Sequence, residues 1–135
     1  KTTSIEEYAK QYVGLDDQGK VDDAVLRGQI LGHRMNDAAF ALTMKRSVQE
    51  SATGTAPGAV SSMFKYYGTE QNKGKYELLL SILGTQSLGW DGETFAEDEL
   101  NTTRAWLRSK ANSIEGGTSE VQLNILAKRV LALPE

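Results

Sequence analysis

The chain has no cysteine among its 135 residues. That excludes a disulfide framework, a thiolate zinc site, an iron–sulfur centre and a thiol nucleophile. It has a single histidine, His33, so a multi-histidine metal centre is excluded too. Proline is scarce: there are 2, and Pro134 is second to last, which leaves long stretches free of breakers. No apolar run approaches the roughly 20 residues that span a bilayer. No Arg-rich or hydrophobic leader opens the chain. An excess of positive charge is also missing. The 15 Lys and Arg against 18 Asp and Glu leave a net charge of −3, which argues against a nucleic-acid-binding domain. At about 100–200 residues per domain the length fits one domain, able to bury roughly 65–70% of its unfolded surface. The first residue is Lys1 rather than Met, so the expectation is a piece or a processed product of a longer chain.

What is present is helical periodicity throughout, and the expected fold is an all-α, up-and-down bundle of four to five helices. Ser4-Ile5-Glu6-Glu7 is a capping box that opens a short helix with Ile5, Tyr8, Ala9 and Tyr12 on one face, ended by Gly14. A polar loop to Lys20 follows. A long second helix is expected over Val21 to Gln49, with Asp22 and Asp23 at its positive end and Lys45 and Arg46 near its negative end. Ala24, Gly28, Leu31, Met35, Ala38 and Leu42 recur in steps of four and three, the seam of a helix bundle. Gly28 and Gly32 weaken that helix by about 1 kcal/mol each but allow another helix or a ligand to approach closely.

Ser51 to Ala59, with Gly54, Pro57 and Gly58, reads as a loop. A third helix is expected over Val60 to Leu83, with a stripe of Val60, Met63, Phe64, Tyr67, Gln71, Gly74, Leu78 and Ile82 and a left-handed stop at Gly84. After a loop from Gly84 to Glu93, a fourth helix is expected over Thr94 to Ser113, with Leu100, Thr103, Leu107 and Ala111 inward. Gly116-Gly117 breaks the chain. Thr118 or Ser119 then caps a last helix over Ser119 to Leu133, with Ser119 to Gln122 matching a second capping box. Val121, Leu123, Ile125, Leu126, Val130, Leu131 and Leu133 cover most of its circumference, so cover on more than one side is expected. In an isolated domain these residues would be partly exposed; in an assembly a partner chain would cover them.

Ile114-Glu115-Gly116-Gly117-Thr118-Ser119-Glu120-Val121-Gln122 is the most informative segment. Free amides at a helix start, without a Cβ in the way at Gly116 and Gly117, form a site for a phosphate or another anion. The same pattern equally describes a glycine stop followed by a hydroxyl cap with nothing bound.

This segment, continued by Asn124, Leu126-Ala127, Arg129-Val130-Leu131 and Leu133-Pro134, resembles the C-terminal signature of acyl-CoA dehydrogenases. Family members commonly read Gly-Gly-Thr-Ser-Glu-Ile-Gln-Arg-Asn-Ile-Ile-Ala-Glu-Arg-Val-Leu-Gly-Leu-Pro there. Upstream, Lys65 and the run Glu77-Leu78-Leu79 into Leu83-Gly84 resemble the family helix that ends in a glycine turn against the flavin. Arg27 resembles an arginine at the start of a long family helix. The resemblance implies a C-terminal helical domain whose parent also carries an N-terminal helical domain and a middle β domain. It implies oxidation of acyl-CoA to trans-2-enoyl-CoA with FAD as cofactor. A carboxylate removes the α-proton and the β-hydrogen leaves as hydride. It further implies a homo- or hetero-oligomer built through this domain, an electron-transfer flavoprotein as redox partner, and a cytoplasmic location, or the mitochondrial matrix in a eukaryote.

The candidate cofactor contacts are Gly116, Gly117, Thr118 and Glu120, the Gly84-Thr85 turn, and Arg27. Thr118 and Glu120 match positions beside the flavin ribose and pyrophosphate. The sequence also departs from the pattern. The straight-chain branch places its catalytic Glu immediately before Gly-Thr, where this chain has Gly116. Glu115, one residue earlier, is the catalytic candidate, although at a helix end it points elsewhere. Ser81 and Thr85 replace the Gln and second Gly of the flavin turn. Leu123 and Ala132 replace Arg and Gly. These departures support an alternative, a non-catalytic helical partner subunit or interaction module that kept the bundle and lost the site. His33, Trp90 and Trp106 read as packing or surface residues, and Glu97, Asp98 and Glu99 as helix-start charge.

Overall fold

The structure, a computed structural model, describes residues 4–54 and 58–134. Lys1 and Pro57 lie outside the described residues. Among the described residues five α-helices form the bundle: α1 (Ile5–Tyr12), α2 (Ala24–Ala52), α3 (Val60–Leu83), α4 (Glu97–Ser109) and α5 (Ser119–Ile125). Among the described residues no strand forms; a lone antiparallel bridge joins Leu15 to Val21.

The helix starts follow local chemistry. Ser4 Oγ accepts from the Glu7 amide while Glu7 reaches back to the Ser4 amide, as expected. Asp23 accepts from the Leu26 amide at 2.8 Å, so α2 begins at Ala24 rather than Val21. Glu99 reaches back to the Ala96 amide at 2.8 Å, which starts α4 at Glu97 rather than Thr94. The chain from Lys110 to Ser113 continues as a 3₁₀ turn. Gly84 does adopt a positive φ of 57°, but the chain tightens into a 3₁₀ turn through Leu88 instead of entering a loop.

The last helix begins at Ser119 as expected, and differs from expectation in its capping box and at its C-terminal end. Its cap is Thr118, whose hydroxyl accepts from the Val121 amide at 3.2 Å. No Ser119–Gln122 box forms, because the Gln122 side chain donates instead to Gly116 O at 3.1 Å. The α-ladder also stops at Ile125 and passes into a π turn over Leu126–Val130, with the Leu131 amide on Leu126 O.

α3 is the central element, and α1, α2, α4 and α5 all pack on it. The apolar core lies at one end of the bundle. It joins Ile5, Tyr8 and Ala9 of α1, Leu26 and Ile30 of α2, and Leu78, Leu79, Ile82 and Leu83 of α3. Further along, the Phe40 ring meets Phe64 and Tyr67 at 5.9 and 5.3 Å between centroids. Gly68 permits this, since a Cβ there would stand 3.2 Å from the Phe40 ring. On α4, Leu100 and Thr103 are buried as expected, whereas Leu107 is exposed.

The seam read along α2 is where the structure corrects the sequence most. Leu26, Ile30, His33 and Phe40 face α3. At 100° per residue, Ala24, Gly28, Leu31, Met35, Ala38 and Leu42 lie on the opposite side of the helix. Leu31, Met35 and Leu42 are 59, 63 and 67% exposed. The last helix behaves likewise: Val121, Leu123, Val130, Leu131 and Leu133 are all exposed. α2 has two apolar faces, and the chain's own bundle uses one.

Candidate functional site

The turn between α4 and α5 is built on two glycines. Gly116 and Gly117 have φ of 67° and 91°, conformations that carry strain for any side chain. At Gly117 a Cβ would also push aside the Gln122 amide, which it would meet at 2.7 Å. The turn leaves both glycines and Glu120 at the surface and Thr118 half-buried.

Asn112 fastens this turn to α3. Its carbonyl accepts from Lys65 Nζ at 2.8 Å and from Thr69 Oγ1 at 3.3 Å, and its Oδ1 accepts from Asn72 Nδ2 at 2.9 Å. Its own Nδ2 donates to Glu115 Oε1 at 2.6 Å. Asn112 carried no signal in the sequence, since its α3 partners lie 40 or more residues away. Ser119 is buried behind the turn and its hydroxyl has no hydrogen-bond partner.

Glu115 is held in place rather than free. Arg108 Nη2 donates to Oε2 at 2.8 Å, and Asn112 occupies Oε1. The hydrogen bond from Arg108, then that from Asn112, holds this carboxyl below the usual glutamate range. A base that takes an α-proton needs a free lone pair and some basicity. The geometry gives Glu115 the role of a tie between α4 and the turn.

Glu120 lies on the first turn of α5. Its own backbone amide, and then the Thr118 hydroxyl, lower its pKa, and the charges of Lys73 and Lys65 on α3 add to this. It is a surface carboxylate that stays ionised and accepts hydrogen bonds, such as those of sugar hydroxyls.

The other candidates lie elsewhere. Gly84 and Thr85 are exposed beyond the far end of α3, about 28 Å along the axis from Lys65 at 1.5 Å per residue. Ser81 is turned back on its helix, donating to Glu77 O at 2.9 Å. Arg27 belongs to that same end. Its Nη1 donates to Val21 O at 2.6 Å and lies 3.6 Å from Asp16, so it pins the α1–α2 loop. Within one chain the candidates form two groups at opposite ends of the bundle. Gly116, Gly117, Thr118 and Glu120 come together; Gly84, Thr85 and Arg27 do not join them.

Comparison with known proteins adds one finding. The family model for the acyl-CoA dehydrogenase C-terminal domain matches residues 5–131. Neither a curated protein nor a solved structure matches the chain. The match spans nearly the whole chain, the fold is the all-helical one that the family expects, and the Gly116–Glu120 turn stands intact at its surface: the chain belongs to the acyl-CoA dehydrogenase C-terminal domain family.

Proposed function

We propose that this chain is the C-terminal helical domain of a flavin-dependent acyl-CoA dehydrogenase, which oxidises acyl-CoA to trans-2-enoyl-CoA and hands its electrons to an electron-transfer flavoprotein. The remaining N-terminal helical and middle β domains belong to the parent chain. The observation that carries this reading is the exposed Gly116-Gly117-Thr118-Ser119-Glu120 turn, anchored on α3 by Asn112, in a chain of this family.

The residues suit FAD as a wall rather than a pocket. Gly116 and Gly117 offer backbone without side chains, and Glu120 offers an ionised acceptor for ribose hydroxyls. Gly84, Thr85 and Arg27 would line a second stretch of the cofactor or of the acyl-CoA at the far end. When bound, FAD accepts the hydride. This chain's part is to position the ligands and keep water from one side. Removal of the α-proton falls to a base outside these 135 residues, because Glu115 is committed to Arg108 and Asn112.

The exposed faces of α2 and of the last helix support assembly through this domain. A folded monomer of 14.8 kDa exposes about 7,000 Å². This chain exposes 8962 Å². The surplus of about 2,000 Å² exceeds the roughly 800 Å² that each partner buries in a standard interface.

A second reading, a subunit without a base that partners a catalytic one, is favoured by Gly116 standing at the position of the family's catalytic Glu. Both readings are tested on the intact parent, from bound FAD and from flavin bleaching by acyl-CoA. Bound flavin with bleaching is expected on the first. Flavin that bleaches only after a second subunit is added supports the other. A parent without flavin in any preparation ends the enzyme reading.

A further inference from the structure

We infer that Asn112 is the positioning residue of the Gly116–Glu120 turn, setting where its bare backbone and the Glu120 carboxylate stand toward a bound ligand. This rests on the reading that the turn faces FAD, and it names the residue that places the turn.

The turn has little apolar surface with which to seat itself. Gly116 and Gly117 carry no side chain, and Ile114 beside them is 67% exposed. The apolar core lies at the other end of the bundle. Apolar packing is also non-directional, whereas a hydrogen bond fixes both distance and angle. Hydrogen bonds therefore decide where the turn sits, and Asn112 takes part in four that tie it to α3 and to Glu115.

Each bond has a local cause. After α4 the chain tightens into a 3₁₀ turn, and Ala111 O takes both the Ile114 and the Glu115 amides at 2.9 Å. That leaves the Asn112 carbonyl to side chains, as at any helix end. Lys65 and Thr69 fill it at 2.8 and 3.3 Å, and Asn72 donates to Oδ1 at 2.9 Å. Positions 65, 69 and 72 are spaced i, i+4 and i+7, so they share one face of α3 and grip a single residue from one rigid element. The Lys65 ammonium also suits the negative end of α4. On the other side Nδ2 donates to Glu115 Oε1 at 2.6 Å. The ionised Glu115 can only accept, which fixes the orientation of the Asn112 amide. Arg108 holds the second carboxylate oxygen at 2.8 Å. The ties thus lead from α3 through Asn112 and Glu115 to α4, and the residue after Glu115 is Gly116.

The Asn112–Glu115 bond can be exchanged without a change of shape or net charge. Asn112→Asp alone sets two carboxylates against each other, beside Arg108 on α4 and Lys65 on α3. Asn112→Asp together with Glu115→Gln returns one donor and one acceptor in the reverse direction, and leaves the glutamine oxygen for Arg108. The grip of Lys65, Thr69 and Asn72 is untouched in both.

The test follows FAD affinity of the intact parent and amide hydrogen exchange at Ile114 to Thr118. Asn112→Asp is expected to weaken FAD by about tenfold to a hundredfold, the range of one charge-assisted hydrogen bond, and to speed exchange in the turn. The exchange pair is expected to restore both. The loss in Asn112→Asp, taken relative to wild type at each pH, is expected to shrink toward about pH 5, because adjacent carboxylates share a proton that replaces the lost donor. An Asn112→Asp parent that holds FAD as tightly as wild type overturns the proposal. So does an exchange pair no better than Asn112→Asp, or a loss that does not change with pH. If Asn112→Asp fails to fold, the exchange pair carries the test, and weak FAD binding by it overturns the proposal. All of these leave the flavoenzyme reading standing, since the wild-type parent binds FAD. A wild-type parent without FAD overturns that reading instead, and the exchange rates then decide whether Asn112 places the turn.

Discussion

Tyr12 donates its phenolic hydrogen to Glu99 Oε1 at 2.6 Å and thereby ties the last turn of α1 to the first turn of α4. Glu99 is 6% exposed, and its other oxygen accepts from the Ala96 amide at 2.8 Å. One buried carboxylate thus starts α4 and anchors α1 at once. Tyr8 stacks on Tyr12 and donates to Asp98, which repeats the link one turn away.

Replacing Tyr12 by Phe leaves a buried carboxylate oxygen short of a donor. A loss of about 1–3 kcal/mol is expected, read from urea unfolding. Glu99→Gln leaves one acceptor oxygen for two donors, Tyr12 and the Ala96 amide, and is expected to lose a comparable amount.

The same pair makes stability sensitive to alkali. Burial, then the bond to Glu99, raises the Tyr12 phenol above the ordinary tyrosine range. A raised folded pKa stabilises below the unfolded value of about 10 and is lost as pH climbs toward the folded one. The stability gap between wild type and Tyr12→Phe is therefore expected to be constant at neutral pH and to shrink above about pH 10. A gap that widens there would sink this account.

Glu115→Gln tests the tie between α4 and the glycine turn. Faster amide hydrogen exchange is expected around Ile114 to Thr118. On the proposed function, bleaching of bound flavin by acyl-CoA in the intact parent should persist within a few fold, whereas loss of a true base costs about 10²–10⁴. For acid stability the sign runs the other way from Tyr12. The Glu115 carboxyl is held down by Arg108 and Asn112, so its contribution is present above the unfolded value of about 4.3 and fades as pH falls through its lower folded value.

Gly117→Ala meets two penalties, a φ of 91° and a Cβ at 2.7 Å from Gln122 Nε2. A loss of about 2–3 kcal/mol in thermal unfolding is expected. Gly116→Ala meets only the left-handed backbone, with Lys65 Cε at 3.8 Å, and is expected to lose about 1 kcal/mol. Equal losses would show that the Gln122 bond to Gly116 O does not hold the turn.

Helices were legible because their signals are local. The Ser4–Glu7 box and the glycines at 84, 116 and 117 each act within four residues, whereas Asp23 reads in the sequence as helix-start charge and proves to be the cap. The bounds of α3 fall where the sequence put them. The site was legible only as a segment. That Asn112 fastens it, that Glu115 is taken by Arg108, and that Gly84 and Arg27 lie at the other end depend on which face of α3 each element meets.

By itself, then, the sequence determined the five helices, their order and the Gly-Gly turn that carries the family resemblance, through capping, periodicity and breakers. Only the tertiary structure decided which face of α2 turns inward. Leu26, Ile30 and Phe40 and the line from Ala24 to Leu42 are both apolar, and periodicity gives the spacing of a face but not its direction. α3 and α1 settle that by packing with the first and leaving the second open. The same holds for the last helix. Its apolar circumference signals burial, yet Val121, Leu123, Val130, Leu131 and Leu133 stand exposed.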